Sequence, residues 1–221
     1  MKHKLAIMTA MLCALILWGC GDDGPASDSA PLYDVALIEE MTSTSTLFAV
    51  ALPQSGHVAR LRSNRALATD EVKPGDCCMI RYVSPRPAYE SADIDLLGCY
   101  AVTNIKASVA TADEIASYSD RPVYLLSAWH FCNRVVMKMQ LPYPMNDRKL
   151  MLLADSATAD EEVPVLNLVQ DYQGDTDKSY MKTYTVAFDL SDVNPSNRWK
   201  GVKICINNSN LPEKFVYLNF E

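Results

Sequence analysis

Cys20 is the residue whose position points most directly to a chemistry. It closes the sequence LWGC (17–20) at the end of an apolar run, and residues 2–4 form a positively charged segment before that run. This order of charge, apolar stretch and small residue is typical of an export signal. A cysteine directly after the small residue predicts cleavage at 1–19 and lipidation of the Cys20 thiol.

The apolar run at 5–18 is too short to cross a membrane, because about 20 apolar residues are needed. Stable anchoring by acyl chains takes at least two such signals, which a diacylated and N-acylated Cys20 would supply. We therefore expect the membrane to be a partner through Cys20. The alternative is an ordinary cleaved signal peptide with a cysteine there by chance.

Charge argues against nucleic acid as a partner. Cleavage after residue 19 removes two of the 20 basic side chains and none of the 27 acidic ones, so the mature chain has 18 basic and 27 acidic side chains and a net charge of −9. Residues 20–31 are rich in Gly, Asp, Ala and Ser, with little to bury, and are predicted to be a flexible acidic tether.

Catalytic residues are scarce after the cleavage site. The mature chain has two histidines, His57 and His130, and it lacks Gly-x-Ser-x-Gly and His-Glu-x-x-His motifs. A catalytic triad would need one of these histidines to meet a nucleophile and a carboxylate across the fold. We expect no enzymatic activity, no cofactor and no metal site, with a hydrolase as the less favoured alternative.

Arginine and tyrosine side chains offer a different chemistry, that of ligand binding. Arg60 and Arg62 lie two residues apart in a predicted strand and so share a face. Small barrels bind oligosaccharides or oligonucleotides with aromatic rings beside polar donors. Alternatively, Glu39 and Glu40 pair with the arginines as ordinary surface charges. The predicted ligand face consists of Arg60, Arg62, Arg81, Tyr82 and Tyr100.

The mature chain keeps five cysteines besides Cys20. An oxidising envelope permits disulfides, and Cys99 with either Cys77 or Cys78 is one expected pair, if their strands are neighbours. Cys132 with Cys205 is the other expected pair, inside the second half of the chain. The competing interpretation is buried free thiols, which pack as small apolar groups.

The elements that position these residues are predicted to be strands. Runs at 33–41, 46–52, 57–62, 77–83 and 96–105 are separated by Ser, Pro, Gly or Asp clusters. Five short strands favour an OB-like barrel over 32–110. Thr111 and Glu114 have the spacing of a capping box, which predicts a short helix in a linker at 111–120.

The second half has the clearest period-2 pattern. Residues 135, 137, 139 and 141 are apolar and alternate with a mixed set, and 184–190 and 202–206 repeat the pattern. Further runs at 123–130, 150–154, 163–169 and 215–220 bring the total to seven strands. We predict an immunoglobulin-like β-sandwich over 121–221 and an all-β chain.

Several segments resemble the NigD-like lipoproteins of the Bacteroidetes: KPGDCCMIRY (73–82), YAVTNI (100–105), LNLV (166–169) and YTVAFDL (184–190). The resemblance implies an OB-type domain followed by a β-sandwich. The motifs are structural turns and strands, so they are specific for fold and carry no catalytic signature. The family's name comes from its association with bacteriocin gene clusters. Cys77 and Cys78 depart from the apolar residues usual in that strand.

These observations predict an envelope protein that acts as a non-enzymatic binding or interaction module, with a glycan, a peptide or an exported protein as ligand. The alternative is a structural spacer without a ligand. Acidic Asp22 and Asp23 after Cys20 resemble a surface-export signal of Bacteroidetes lipoproteins. We therefore expect an outer-membrane anchor, with the cell surface favoured over the periplasmic face.

Overall fold

The computed structural model describes residues 30–52, 57–67, 72–84, 92–118, 121–143, 148–172 and 180–220. The predicted signal peptide and residues 20–29 of the tether lie outside the described residues. Within them the chain is all-β apart from one short helix, as predicted. No helix in these ranges is long and apolar enough to span a bilayer.

The first five strands form a closed barrel in the order β1-β2-β3-β5-β4, which confirms the predicted OB-like barrel. β3 and β5 run parallel, and the other neighbouring strands are antiparallel. The strands are β1 (Leu32–Met41), β2 (Thr46–Ala51), β3 (Val58–Ser63), β4 (Cys77–Val83) and β5 (Ala92–Ala101).

The barrel core follows from side-chain alternation along these strands. Phe48, Leu61 and Ile80 point inward and are fully buried, and Cys78 and Tyr82 join them from the same face of β4. The residues between them, such as Met79 and Arg81, therefore face outward. This parity decides which side chains a ligand could reach.

The second half is a sandwich of two sheets whose inner faces share one core. The period-2 prediction is confirmed, because Val135, Met137, Met139 and Leu141 are all fully buried in that core. Its strands are β8 (Tyr124–Phe131), β9 (Arg134–Pro142), β10 (Arg148–Asp155), β11 (Val165–Tyr172), β12 (Met181–Asp189), β13 (Gly201–Cys205) and β14 (Phe215–Asn219).

Two further strands in the described part of the chain, β6 (Thr103–Lys106) and β7 (Ser108–Ala110), also join this sandwich. The sequence predicts residues 103–110 to belong to the barrel domain and 96–105 to form one strand. Instead the run breaks after Ala101, because β6 pairs parallel to β12 and β7 pairs parallel to β10. The sheets are therefore β14-β13-β11-β10-β7 and β6-β12-β9-β8, with nine strands instead of seven.

The helix α1 (Ala112–Ser117) begins at the predicted capping box. The Glu114 amide donates to Thr111 Oγ1 at 3.3 Å, and the Thr111 amide donates to Glu114 Oε2 at 2.8 Å. These reciprocal bonds satisfy amides that the first helical turn leaves without partners. Ile115 and Tyr118 then pack against the outer face of the five-stranded sheet.

The barrel and the sandwich are joined by packing and by side-chain hydrogen bonds. Cys77, Phe131 and Val136 share a buried cluster. Asn104 Oδ1 accepts from the Cys77 amide at 2.8 Å, and Asn104 Nδ2 donates to the Cys77 carbonyl at 2.9 Å. Arg134 donates to the Gly75 carbonyl at 2.9 Å and pairs with Asp189 of the sandwich at 2.9 Å.

Candidate functional site

Tyr82 lies inside the barrel and is removed from the predicted ligand face. Its side chain is fully buried, and its hydroxyl donates to Asp34 Oδ2 at 2.7 Å. Burial raises the pKa of the Asp34 carboxyl, and the bond from Tyr82 opposes that rise only in part. Burial, with the neighbouring Asp34 carboxyl, also raises the pKa of Tyr82. The hydrogen-bonded pair of Tyr82 and Asp34 is therefore part of the barrel interior and not of a ligand face.

Arg60 faces outward from β3, but its guanidinium is already engaged. It forms two bonds to the Glu39 carboxylate, from Nε at 2.9 Å and from Nη2 at 3.1 Å. This is the surface pairing of charges that is the alternative to a ligand face at Arg60. Arg62 is exposed on the same strand, opposite Asp93 of β5. Because β5 lies between β3 and β4, neither arginine adjoins Arg81.

Three outward-facing side chains on the other side of the barrel do come together. Tyr33 on β1 is the register partner of Arg81 on β4, and the Arg81 guanidinium carbon lies 5.8 Å from the centre of the Tyr33 ring. On the far side of β4, Arg81 is the register partner of Gly98 on β5. We call Tyr33, Arg81 and Tyr100 the tyrosine–arginine row.

Tyr100 completes the row because its ring folds back over Gly98. A Cβ built on Gly98 would lie 3.0 Å from the Tyr100 hydroxyl and 3.2 Å from two ring carbons. The ring thus occupies space that any side chain at 98 would fill. Both tyrosines are largely exposed, Tyr33 at 59% and Tyr100 at 53%. The row is therefore an open surface of two rings on either side of a guanidinium.

Arg81 differs in charge pairing from the other arginines named here. Arg60 and Arg134 each contact a carboxylate, whereas Arg81 forms no ion pair with any residue in the described ranges. Its Nε is buried and has no hydrogen-bond partner there. A buried donor without a partner is costly, so such groups are rare in folded proteins. Within the described residues, no carboxylate therefore neutralises the Arg81 guanidinium.

The five cysteines of the described chain are all free thiols. Cys78 and Cys99 face the barrel interior from neighbouring strands, and hydrogen bonding between their thiols raises the pKa of Cys78 and lowers that of Cys99. Cys77 faces outward instead and is covered by the sandwich, and burial raises its pKa to about 12. Of the two expected partners of Cys99, Cys78 is therefore the neighbour.

The expected pairing of Cys132 with Cys205 is not supported. Cys132 follows β8 and packs in the cluster between the sandwich and the barrel. Cys205 ends β13 in the other sheet, on the face that carries α1. Burial raises the pKa of each thiol above its ordinary value. The two side chains belong to different surfaces, so a disulfide between them would require the sandwich to open.

A catalytic triad would have to use His57 or His130. His130 stacks on Phe220 with ring centres 3.5 Å apart, and its Nε2 is buried without a hydrogen-bond partner in the described structure. Burial lowers its pKa from 6.5 to about 4. His57 directly precedes β3. Across the described residues, no group of three or more His, Cys, Asp or Glu side chains is arranged to hold a metal ion.

Tyr33 is the member of the row that sequence reasoning missed. It lies in a correctly predicted strand, but its neighbour Arg81 is 48 residues away, and only the β1–β4 register brings them together. The sequence carries no local signal for this, since Tyr33 shares its strand face with the apolar Val35 and Leu37, and the inward-facing neighbour is the acidic Asp34. The row retains Arg81 and Tyr100 from the predicted face and replaces Arg60, Arg62 and Tyr82 with Tyr33.

No protein-family model and no curated protein sequence matches the chain. Solved structures do match it in fold. A protein of unknown function from Bacteroides vulgatus is 17% identical with a TM-score of 0.67, and the match covers 87% of this chain and 92% of that one. A candidate lipoprotein from Bacteroides fragilis is 10% identical with a TM-score of 0.61, over 86% and 98% of the two chains.

A NigD-like immunity protein from Bacteroides caccae is 12% identical with a TM-score of 0.55, and the match covers 87% of this chain and 93% of that one. At these identities the similarity establishes the fold. The chain therefore has the barrel-and-sandwich fold of a NigD-like protein of Bacteroides, and the resemblance seen in its sequence is confirmed at that level.

Proposed function

We propose that this protein is a lipid-anchored, non-enzymatic binding module of the bacterial envelope, and that the tyrosine–arginine row is its ligand face. The observation that carries the proposal is the row itself: two exposed rings flank an arginine that has no carboxylate partner among the described residues. Exposed aromatic side chains beside a free guanidinium are a common means of ligand recognition.

The spacing of the row favours an extended glycan. Tyr33 and Tyr100 lie on strands on either side of β4, two strand spacings or about 10 Å apart across the sheet. The Tyr100 backbone is level with Met79, but its ring folds back over Gly98, which is level with Arg81. Rings at that separation could stack on the apolar faces of alternate sugars in an oligosaccharide. Arg81 between them would donate to hydroxyl or carboxylate oxygens of the intervening sugar. A peptide or an exported protein remains an outcome of the test.

The anchor belongs to the same proposal. Lipidation of Cys20 would hold the protein on the outer membrane, and residues 20–31 would act as the tether. The candidate lipoprotein among the structural matches supports a membrane-associated role. We infer that the domains face the cell surface, where glycans and exported proteins are accessible. Protease digestion on intact cells, with a periplasmic protein as integrity control, tests this: protection of the domains would overturn it.

The ligand face is tested by glycan-array screening followed by calorimetry with the best oligosaccharide. We expect Tyr33→Ala, Tyr100→Ala and Arg81→Gln each to weaken binding by about tenfold or more, because each removes a stacking surface or a charged donor worth about 1–3 kcal/mol. Tyr217→Ala is the matched control, since Tyr217 on β14 is as exposed as Tyr33 at 59%. Equal losses in the control would exclude the row as the binding surface.

A spacer without a ligand predicts a different result. In that case no oligosaccharide, peptide or exported protein would bind above background, and the three row variants would behave as the parent does in every assay. An exported-protein ligand would instead be recognised by loss of binding in the same three variants without any glycan signal.

A further inference from the structure

A second concave site lies on the sandwich, on the outer face of the five-stranded sheet. Helix α1 covers one part of this face by packing Ile115 and Tyr118 against the sheet. Beside the helix the sheet stays uncovered and forms the floor of a pocket of about 450 Å³. This volume is within the range of sites that hold small ligands, roughly 300–1,000 Å³.

The floor of the pocket carries two polar side chains next to each other. Asn167 on β11 and Cys205 on β13 are register partners in the parallel pair of strands. Their neighbours Leu166 and Ile204 are fully buried in the sandwich core, so Asn167 and Cys205 face outward into the pocket. The Asn167 amide supplies both a donor and an acceptor.

The pocket wall carries a positive charge that no carboxylate in the lining balances. Lys214 Nζ donates to the Asn208 carbonyl at 2.6 Å and to Asn207 Oδ1 at 3.5 Å, which holds the ammonium group in place. One of its three protons is left for a ligand. Asp155 is the acid that raises the pKa of the Cys205 thiol, after burial as the larger cause, and its carboxylate accepts a bond from the Ala157 amide at 2.9 Å. The lining is therefore cationic on one side and apolar on the helix side.

We propose that this pocket binds the carboxyl-terminal residue of a peptide. The terminal carboxylate would pair with Lys214, the last peptide group would bond to the Asn167 amide, and the terminal side chain would pack against Ile115 and Tyr118. A carboxylate, a peptide group and an apolar side chain in this order match the three kinds of surface that the pocket presents. The site is separate from the tyrosine–arginine row and stands without it.

Cys205 gives a direct reading of occupancy, because its thiol lies on the pocket floor. The probes are N-acetyl-Ala-Leu as the free acid and the same dipeptide as its C-terminal amide. The whole chain is alkylated with iodoacetamide, and the rate at each cysteine is followed by mass spectrometry. Fully buried Cys77 and Cys78 serve as internal references for intact folding.

We expect the free acid to slow alkylation of Cys205, and the amide to need a concentration at least about tenfold higher for the same protection, because a charge-assisted bond contributes about 1.5–3 kcal/mol. Lys214→Gln should abolish the preference for the acid, and Lys214→Arg should retain it. Lys203→Gln is the matched control: Lys203 also acts on Cys205 but contacts Phe215 and Tyr217 outside the pocket lining.

Equal protection by the acid and the amide would overturn the assignment of a carboxylate site. Loss of the preference in Lys203→Gln as well as in Lys214→Gln would show a general effect of charge and would also overturn it. Absence of protection by either probe at millimolar concentration would exclude a peptide terminus as the ligand. Unchanged alkylation rates at Cys77 and Cys78 distinguish each of these outcomes from unfolding.

Discussion

Asn104 connects the barrel to the sandwich, and its truncation to alanine gives the sharpest test of how the two halves are held together. Its side chain satisfies both backbone groups of Cys77, at 2.8 and 2.9 Å, and Cys77 is fully buried. In Asn104→Ala those two groups lose their partners. Each unsatisfied buried group costs about 1–3 kcal/mol, so we expect the free energy of unfolding to fall by about 2–6 kcal/mol.

The assay is urea unfolding followed by circular dichroism, combined with hydrogen exchange at the Cys77 amide. We expect a lower midpoint and faster exchange at Cys77 in Asn104→Ala. Asn210→Ala is the matched control, because Asn210 bridges the amide and carbonyl of Leu125 at 3.0 and 2.7 Å within the sandwich. Asn210→Ala should lower the free energy of unfolding by a similar amount. In this control the Cys77 amide should exchange only through global unfolding.

A loss below about 0.5 kcal/mol in Asn104→Ala would refute the reasoning, since it would mean that water replaces the amide at no cost. A large loss without faster local exchange at Cys77 would also contradict it. In that case Asn104 would stabilise the sandwich through β6 and would contribute little to the contact with the barrel.

Three further predictions concern buried titratable groups and the helix. Burial raises the pKa of Asp34 above its ordinary 3.8, so the free energy of unfolding should fall as the pH rises from 3.8 through the raised pKa. Asp34→Asn keeps an acceptor for Tyr82, and its urea midpoint should not fall with pH over this range. Burial lowers the pKa of His130 from 6.5 to about 4, so about 3 kcal/mol of the free energy of unfolding should be lost as the pH falls from 6.5 to about 4. Thermal melts of His130→Phe over this pH range should lack the loss. The same pH dependence in the variant and the parent would contradict this. Thr111→Ala should cost about 1 kcal/mol in unfolding free energy through the lost cap, whereas Thr111→Ser should retain most of the stability.

Local patterns predicted the elements of this fold well. Alternation in 135–141 identified both the strand and its buried face, because one parity is uniformly apolar and the other is mixed. The capping box at Thr111 placed the start of α1 correctly, since the bonds it forms are within four residues. Such signals need no information about distant parts of the chain.

The parity of β4 could not be read in the same way. Its sequence CCMIRYV has apolar residues in both parities, and both Cys77 and Cys78 are fully buried. Cys78 is covered by the barrel interior, and Cys77 is covered by the sandwich packing against the outside. A strand buried on both faces at one end carries no local sign of which face continues inward, and Tyr82 was therefore misplaced.

The point at which the chain passes from the barrel to the sandwich also has no local sign in the sequence. The run 96–105 is continuous in sequence, but the chain leaves the barrel after Ala101 and enters the sandwich at Thr103. The parallel partners of β6 and β7 are residues 186–189 and 153–155, far along the chain. Parallel pairing of this kind leaves no turn signal between the partners, so the two additional sandwich strands have no local signature.

The position of the candidate ligand face follows from which side of the barrel the sandwich covers. Val35, Leu37 and Ala51 lie on the outer surface of β1 and β2 and pack against the Phe131 end of the sandwich. On that side an arginine would be enclosed or paired, and Arg60 is indeed paired with Glu39.

Tyr33 and Arg81 also lie on β1 and β4, but they do not belong to the cluster of Val35, Leu37 and Cys77 that the sandwich covers. Here the Arg81 guanidinium, which has no ion pair among the described residues, lies between two exposed rings. A surface that merely needed solubility would be served by a carboxylate opposite Arg81, as Glu39 is opposite Arg60. The row keeps the costlier arrangement, an arginine whose buried Nε lacks a hydrogen-bond partner among the described residues. That contrast between two arginines of the same barrel is the physical basis for proposing the row as a ligand face.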